Sequence, residues 1–140
     1  MERNDFIRLL GTGTLAVCAG CALDSCSSSD PSPSTAAPTN IDFTLDLTAA
    51  ENAALQSVGG SLVKSGVIVA RLSSTEFTAL SRSCTHQGTP VDYQSGPMNF
   101  LCPNHGSRFA TTGSVINGPA VSPLKKYNTL LTGDSLRVFS

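Results

Sequence analysis

Between residues 41 and 47 the chain alternates strictly: Ile41, Phe43, Leu45 and Leu47 are apolar, and Asp42, Thr44 and Asp46 between them are polar. A period of two puts the apolar set on one face, which predicts a half-buried strand. Apolar runs at 67–72 and 76–82 predict two more, and Lys64-Ser65-Gly66 supplies a tight turn ahead of the first. Residues 97–101 form a shorter strand. Two further strands are expected at 127–131 and 136–139, joined by a Thr132-Gly133-Asp134 turn. Residues 49–56 carry one or two helical turns, and no longer stretch shows a helical period. The expected fold is all-β, a small antiparallel sandwich of stacked sheets. A barrel of the oligonucleotide-binding type fits the same strand count.

Upstream of residue 41 the pattern changes. Residues 27–40 are dense in Ser, Pro and Ala with almost no large apolar side chain, so they bury too little surface to order themselves. They read as a flexible tether, able to span roughly 40 Å at about 3.1 Å per residue. Residues 1–26 read as an export signal with a lipoprotein site. Arg3 and Arg8 flank Phe6-Ile7, and a weakly apolar run over 9–23 follows, interrupted by glycine. That run falls short of the roughly 20 apolar residues that a comfortable membrane span needs. The stretch from Arg3 to Arg8 resembles a twin-arginine signal in which Asn4 replaces the second arginine. Cys26, preceded by Leu23 and Ser25 and followed by the tether, is the expected lipid-bearing residue. Cys21, behind Ala19-Gly20, is the alternative. The expected organisation is therefore signal 1–26, tether 27–40 and domain 41–140, held by a lipid anchor at an outward-facing or periplasmic membrane surface.

With 140 residues, 40% of them apolar, the chain can bury one modest core. A net charge of -1 and a charged fraction of 14% leave no clustered Lys and Arg surface, which excludes a nucleic-acid partner.

The chemistry is concentrated in two loops. The only two histidines each sit beside a cysteine, in Cys84-Thr85-His86-Gln87-Gly88-Thr89 and in Cys102-Pro103-Asn104-His105-Gly106-Ser107. Gly88, Gly106, Pro90 and Pro103 let each loop turn sharply, so that the two pairs can face one another. Two thiolates and two imidazoles suit tetrahedral zinc, or an iron–sulfur centre in which two histidines replace two cysteines on one iron. Zinc fingers usually pair C-x2-4-C with H-x3-5-H, whereas here each loop supplies one ligand of each type.

The two loops resemble those of the Rieske family, and the likeness continues through Ser107, Phe109, Gly118-Pro119-Ala120 and Ser122-Pro123-Leu124. The resemblance implies a Rieske-like sandwich with both ligand loops at one end and one [2Fe-2S] cluster per subunit. Cys84 and Cys102 would bind one iron and His86 and His105 the other, with Gly118-Pro119-Ala120 covering the cluster from a third side. It also implies two potential-tuning positions. Ser107 keeps a serine that donates to a bridging sulfide, and Phe109 replaces a tyrosine that donates to a cysteine sulfur in the quinol-oxidising branch. Thr89 and Asn104 stand where that branch has a disulfide between the loops. One donor kept and one lost imply an intermediate potential, above that of plant-type ferredoxins.

The implied function is one-electron transfer without a catalytic residue of the chain's own. The carrier would work free on its tether or as the small subunit of an exported oxidoreductase, similar to the Rieske subunits of arsenite-oxidising enzymes. Its partner is then a redox protein or a larger oxidoreductase subunit. Two alternatives are a subunit of a quinol:cytochrome c reductase and a zinc-stabilised binding module with no redox role.

Overall fold

Strand pairing organises everything after residue 41. The computed structural model describes residues 35–140, so the expected export signal, Cys21 and Cys26 lie outside the described residues. Ten strands follow in order: β1 (Asp42–Asp46), β2 (Ser61–Lys64), β3 (Val67–Arg71), β4 (Phe77–Ser81), β5 (Asp92–Gln94), β6 (Asn99–Leu101), β7 (Arg108–Ala110), β8 (Val115–Asn117), β9 (Lys126–Thr132) and β10 (Ser135–Phe139). A 3-10 helix at Ala50–Gln56 occupies the stretch where one or two helical turns are expected. The strands form a six-stranded sheet, β1-β10-β9-β4-β3-β2, and a four-stranded sheet, β5-β6-β7-β8. Every pairing is antiparallel. The all-β expectation therefore holds, with β2, β5, β7 and β8 added to the strands that the pattern predicts.

Strands β3 and β4 of the large sheet are buried on both faces, and this is what joins the sheets. In β3, Val67 and Val69 face one core while Ile68 and Ala70 face another; in β4, Phe77 and Ala79 face the first and Leu80 the second. Alternation of side chains along a strand makes this division automatic. The first core is completed by Leu45, Leu55, Tyr127, Leu136 and Val138. The second takes Val91, Phe100, Phe109, Ala120 and Leu124, and both loop cysteines belong to it. Full burial of Phe100 and Phe109 contributes about 1.5–3 kcal/mol each, so the floor beneath the loops is also a principal source of their stability.

Both expected turns form. Lys64 pairs with Val67, so Ser65 and Gly66 alone reverse the chain, at φ values of 52° and 75°. Positive φ at both central positions is what a type I′ hairpin requires. A side chain at Gly66 is also excluded, because its Cβ would lie 2.8 Å from Pro38 Cγ.

That contact shows where the described tether residues go. The Tyr127 hydroxyl donates to the Pro38 carbonyl at 2.6 Å, and Lys125 Nζ reaches the same oxygen at 3.3 Å. Pro38 is thus pinned to the domain from β9, although its own sequence neighbourhood reads as solvated chain. Farther along, Asp42 pairs with Phe139, and the Ser140 N–H donates to the Ile41 carbonyl at 2.9 Å.

Arg71, at the end of β3, acts as a local knot. Its guanidinium donates to the carbonyls of Leu55, Gln56, Ser73 and Ser74 at 2.7–3.1 Å and lies over the Phe77 ring. It thereby closes the C-terminal end of the 3-10 helix, whose last carbonyls have no partner within the helix.

Candidate metal centre

The loop after β4 and the loop after β6 share one backbone design. In the first, Cys84 N–H donates to Thr89 O at 2.9 Å and Gly88 N–H donates to Cys84 O at 2.8 Å. In the second, Cys102 N–H donates to Ser107 O at 2.8 Å and Gly106 N–H donates to Cys102 O at 3.0 Å. The closing glycines adopt φ of 75° and 77°, left-handed values that an L side chain rarely takes. Equal closure fixes both cysteines in equivalent positions, even though histidine follows by two residues in one loop and by three in the other.

The four expected ligand residues are brought together as two pairs. Cys84 and Cys102 are both buried and belong to the same apolar cluster, with their thiols as neighbours. The His86 and His105 rings stand farther out, with centroids 4.8 Å apart and planes nearly perpendicular at 87°. His105 is exposed and His86 half-buried, yet His86 Nδ1 is covered and has no hydrogen-bond partner. A buried, unpartnered ring nitrogen is a costly arrangement unless something else occupies it. No three His, Cys, Asp or Glu side chains among the described residues converge on one point that would hold a single ion. Division into an inner sulfur pair and an outer nitrogen pair suits a binuclear centre better than tetrahedral zinc.

Burial pushes the Cys84 thiol up, and the neighbouring Cys102 thiol adds to this, while the backbone N–H groups of His86 and Gln87 pull it down by donating to the sulfur. The same two donors would stabilise negative charge on that sulfur once it is a metal ligand.

A third loop, between β8 and β9, closes the arrangement; it contains a cis Gly118–Pro119 bond. Ala120 N–H donates to Ser107 Oγ at 3.0 Å, and Ser107 is completely buried. Thr85 Oγ1 donates to Ser122 O at 2.6 Å. Asn117 Nδ2 donates to Gly106 O at 2.9 Å and to Gly118 O at 3.1 Å. Phe109, opposite Phe100 in the small sheet, lies under both cysteines as part of the floor. The sequence pattern points to Ser107, Phe109 and the Gly118-Pro119-Ala120 loop but gives no role to Thr85 or Asn117. The only signal for Asn117 is its place directly before that loop.

Comparison with known proteins agrees with this geometry. Residues 44–128 match the family model of the Rieske [2Fe-2S] domain. The chain is 41% identical over 60 residues to the cytochrome b6-f complex iron-sulfur subunit of Chlorobaculum thiosulfatiphilum, a match covering 43% of this chain and 33% of that protein. It thus spans about a third of the length of that relative. The crystal structure of the plasma membrane Rieske protein PetC3 from Synechocystis PCC 6803 superposes with a TM-score of 0.51 at 32% identity, over 58% of this chain and 85% of that one. The ferredoxin of carbazole 1,9a-dioxygenase from Nocardioides aromaticivorans IC177 shares the fold, with a TM-score of 0.53 at 23% identity over 73% of this chain and 98% of that one. With more than half of its length matched by the family model, and with two cysteine–histidine loops closed over a common apolar floor, the chain belongs to the Rieske [2Fe-2S] domain family.

Proposed function

We propose that Cys84 and Cys102 hold one iron, and His86 and His105 the other, of the [2Fe-2S] cluster that the family carries, and that the chain passes electrons one at a time to a partner. The observation that carries the ligand assignment is the covered and unpartnered Nδ1 of His86, facing His105 above two buried thiols. The cluster supplies one reversible electron; the protein supplies its placement and its surroundings. Phe100, Phe109, Leu80 and Leu124 keep water from the sulfur side. The N–H groups of His86 and Gln87 serve Cys84. Ser107 accepts from Ala120, which leaves its own hydroxyl proton for a cluster sulfur. His105, exposed, is the edge from which electrons leave.

The partner surface follows from the three loops. Residues 85–89, 103–106 and 118–123 contain no Asp, Glu, Lys or Arg, and Val121 is 92% exposed. Docking through such a surface should depend little on ionic strength, because screening acts on charges. We place the carrier at an outward-facing membrane surface, anchored by a lipid on Cys26 or Cys21 and serving a redox protein or a larger oxidoreductase. No helix among the described residues is long and apolar enough to cross a membrane.

A second reading, membership of a quinol-oxidising complex, is favoured by the likeness to a cytochrome b6-f subunit. Thr89 and Asn104, at the positions of the inter-loop disulfide of that branch, oppose it. Protein made with an intact cluster-assembly system should be red-brown and hold iron and acid-labile sulfide in equal amounts. Zinc without sulfide would overturn the ligand assignment. Quinol oxidation by the protein within its complex would decide for the second reading.

A further inference from the structure

We infer that Thr85 and Asn117 are positioning residues that set the gap between the two ligand loops by fastening each of them to the loop between β8 and β9. The inference rests on the ligand assignment proposed above and concerns how those ligands are held in register.

The topology makes the gap a delicate quantity. The first ligand loop runs from β4 in the large sheet to β5 in the small one, and the loop between β8 and β9 runs back from the small sheet to the large. The second ligand loop, between β6 and β7, stays within the small sheet. The spacing between the Cys84–His86 pair and the Cys102–His105 pair would therefore vary with any sliding of one sheet over the other. Among the described residues no disulfide restrains it, since Cys84 and Cys102 are both free.

The loop between β8 and β9 supplies the restraint. Thr85, between the first cysteine and the first histidine, donates its hydroxyl to Ser122 O at 2.6 Å. These residues are 37 positions apart, and the bond ties together the two segments that cross between the sheets. Asn117 spends both amide protons on carbonyls: Gly106, the closing residue of the second ligand loop, at 2.9 Å, and Gly118 at 3.1 Å. The buried bond from Ala120 N–H to Ser107 Oγ lies beside it. The last residue of β8 and the loop that follows it thus hold a point next to each histidine, Asn117 by bridging Gly106 to Gly118 and Ser122 by accepting from Thr85.

The test compares holoprotein carrying Thr85→Val, Thr85→Ser, Asn117→Ala and the Val/Ala double change. The readouts are the loss of visible absorption at a fixed elevated temperature, the electron paramagnetic resonance spectrum after reduction, and the reduction potential. Thr85→Val and Asn117→Ala should each speed cluster loss by about threefold, ~0.7 kcal/mol at about 1.4 kcal/mol per factor of ten, and broaden the resonance. Thr85→Ser should restore both. Because the two bonds restrain one gap, the double change should fall short of the product of the single effects. If Thr85→Val fails to take up the cluster while Thr85→Ser succeeds, the inference holds. Unchanged spectra and potentials in Thr85→Val and Asn117→Ala, even with a lower unfolding temperature, would reduce both residues to local structure and overturn it. So would a serine variant as impaired as the valine one. Retention of the wild-type spectrum in His105→Ala would instead overturn the ligand assignment.

Discussion

Ser107→Ala removes a single oxygen, and the structure gives that oxygen two separable tasks. As an acceptor, it holds the Ala120 N–H at 3.0 Å with both residues buried, so its loss strands a buried donor. Leaving such a group unpaired costs about 1–3 kcal/mol of folding stability. As a donor, its proton would serve a sulfur whose negative charge grows on reduction. A hydrogen bond to a charged group contributes about 1.5–3 kcal/mol, of which only the difference between oxidation states enters the potential. Taking that difference as about 1 kcal/mol and 59 mV per factor of ten for one electron, the potential should fall by roughly 45 mV. Voltammetry on the holoprotein reads the second task, and denaturant unfolding of the same sample reads the first. A loss of stability with no change in potential would refute the donor role and leave Ser107 only as the anchor of the loop between β8 and β9. Ser107→Thr, which keeps the hydroxyl, should restore most of the potential if the methyl group fits.

Other perturbations separate the scaffold from the centre. Arg71→Met should lower stability by about 2 kcal/mol, counting about 1 kcal/mol for each of two half-buried bonds to Leu55 and Ser73, with the potential unchanged; a shifted potential would contradict the separation of the two cores. Asp42 and Asp46 titrate below their ordinary value of 3.8, Asp42 because Arg137 donates to it, and Asp46 because the Thr48 hydroxyl and N–H do. A carboxyl lowered in the folded state contributes stability above its unfolded value, and this is lost as the pH falls through the folded one. Asp42→Asn with Asp46→Asn should therefore flatten the acid limb of a stability profile below about pH 4, and an unaltered limb would show the bonds to be inconsequential. Cys26→Ser should release a soluble and still coloured protein from membranes. Mass spectrometry that finds Met1 retained on an unmodified chain would overturn the lipoprotein reading.

What the sequence discloses depends on how local the cause is. β1, β3, β4, β9 and β10 are legible because their apolar positions recur within five to seven residues, and Ser65-Gly66 because the turn is made by its own two residues. β5, β6, β7 and β8 have three residues each, too few for a period to register, and of these only β6 is expected, as the segment that runs into the second ligand loop. They exist because neighbouring strands and the loop closures place them in pairing distance. β2 carries one strong apolar pair, Leu62-Val63, and its identity comes from its partner β3. The ligand loops are legible for a different reason, since four metal-binding side chains in two short segments carry their meaning as chemistry. Contacts such as Thr85 with Ser122, or Tyr127 with Pro38 across 89 positions, leave no trace in any local window. The segment 27–40 accordingly reads as free chain up to Asn40, although Pro38 is already held.

The pairing of Asp42 with Phe139 has a consequence for how such a domain can be carried. Residues opposed in an antiparallel pair stand about 5 Å apart, so the backbone enters and leaves the fold through one doorway. A host protein could accept the whole unit within a surface loop without stretching that loop. A linker of a few residues would be enough to join Ser140 to Ile41, whose backbones are already hydrogen-bonded, so that new ends could be opened at an exposed turn. Under tension the same geometry is a weakness. A pull between the two ends opens β1 from β10 like a zipper, rung by rung, once the bonds that Tyr127 and Lys125 make to Pro38 have given way.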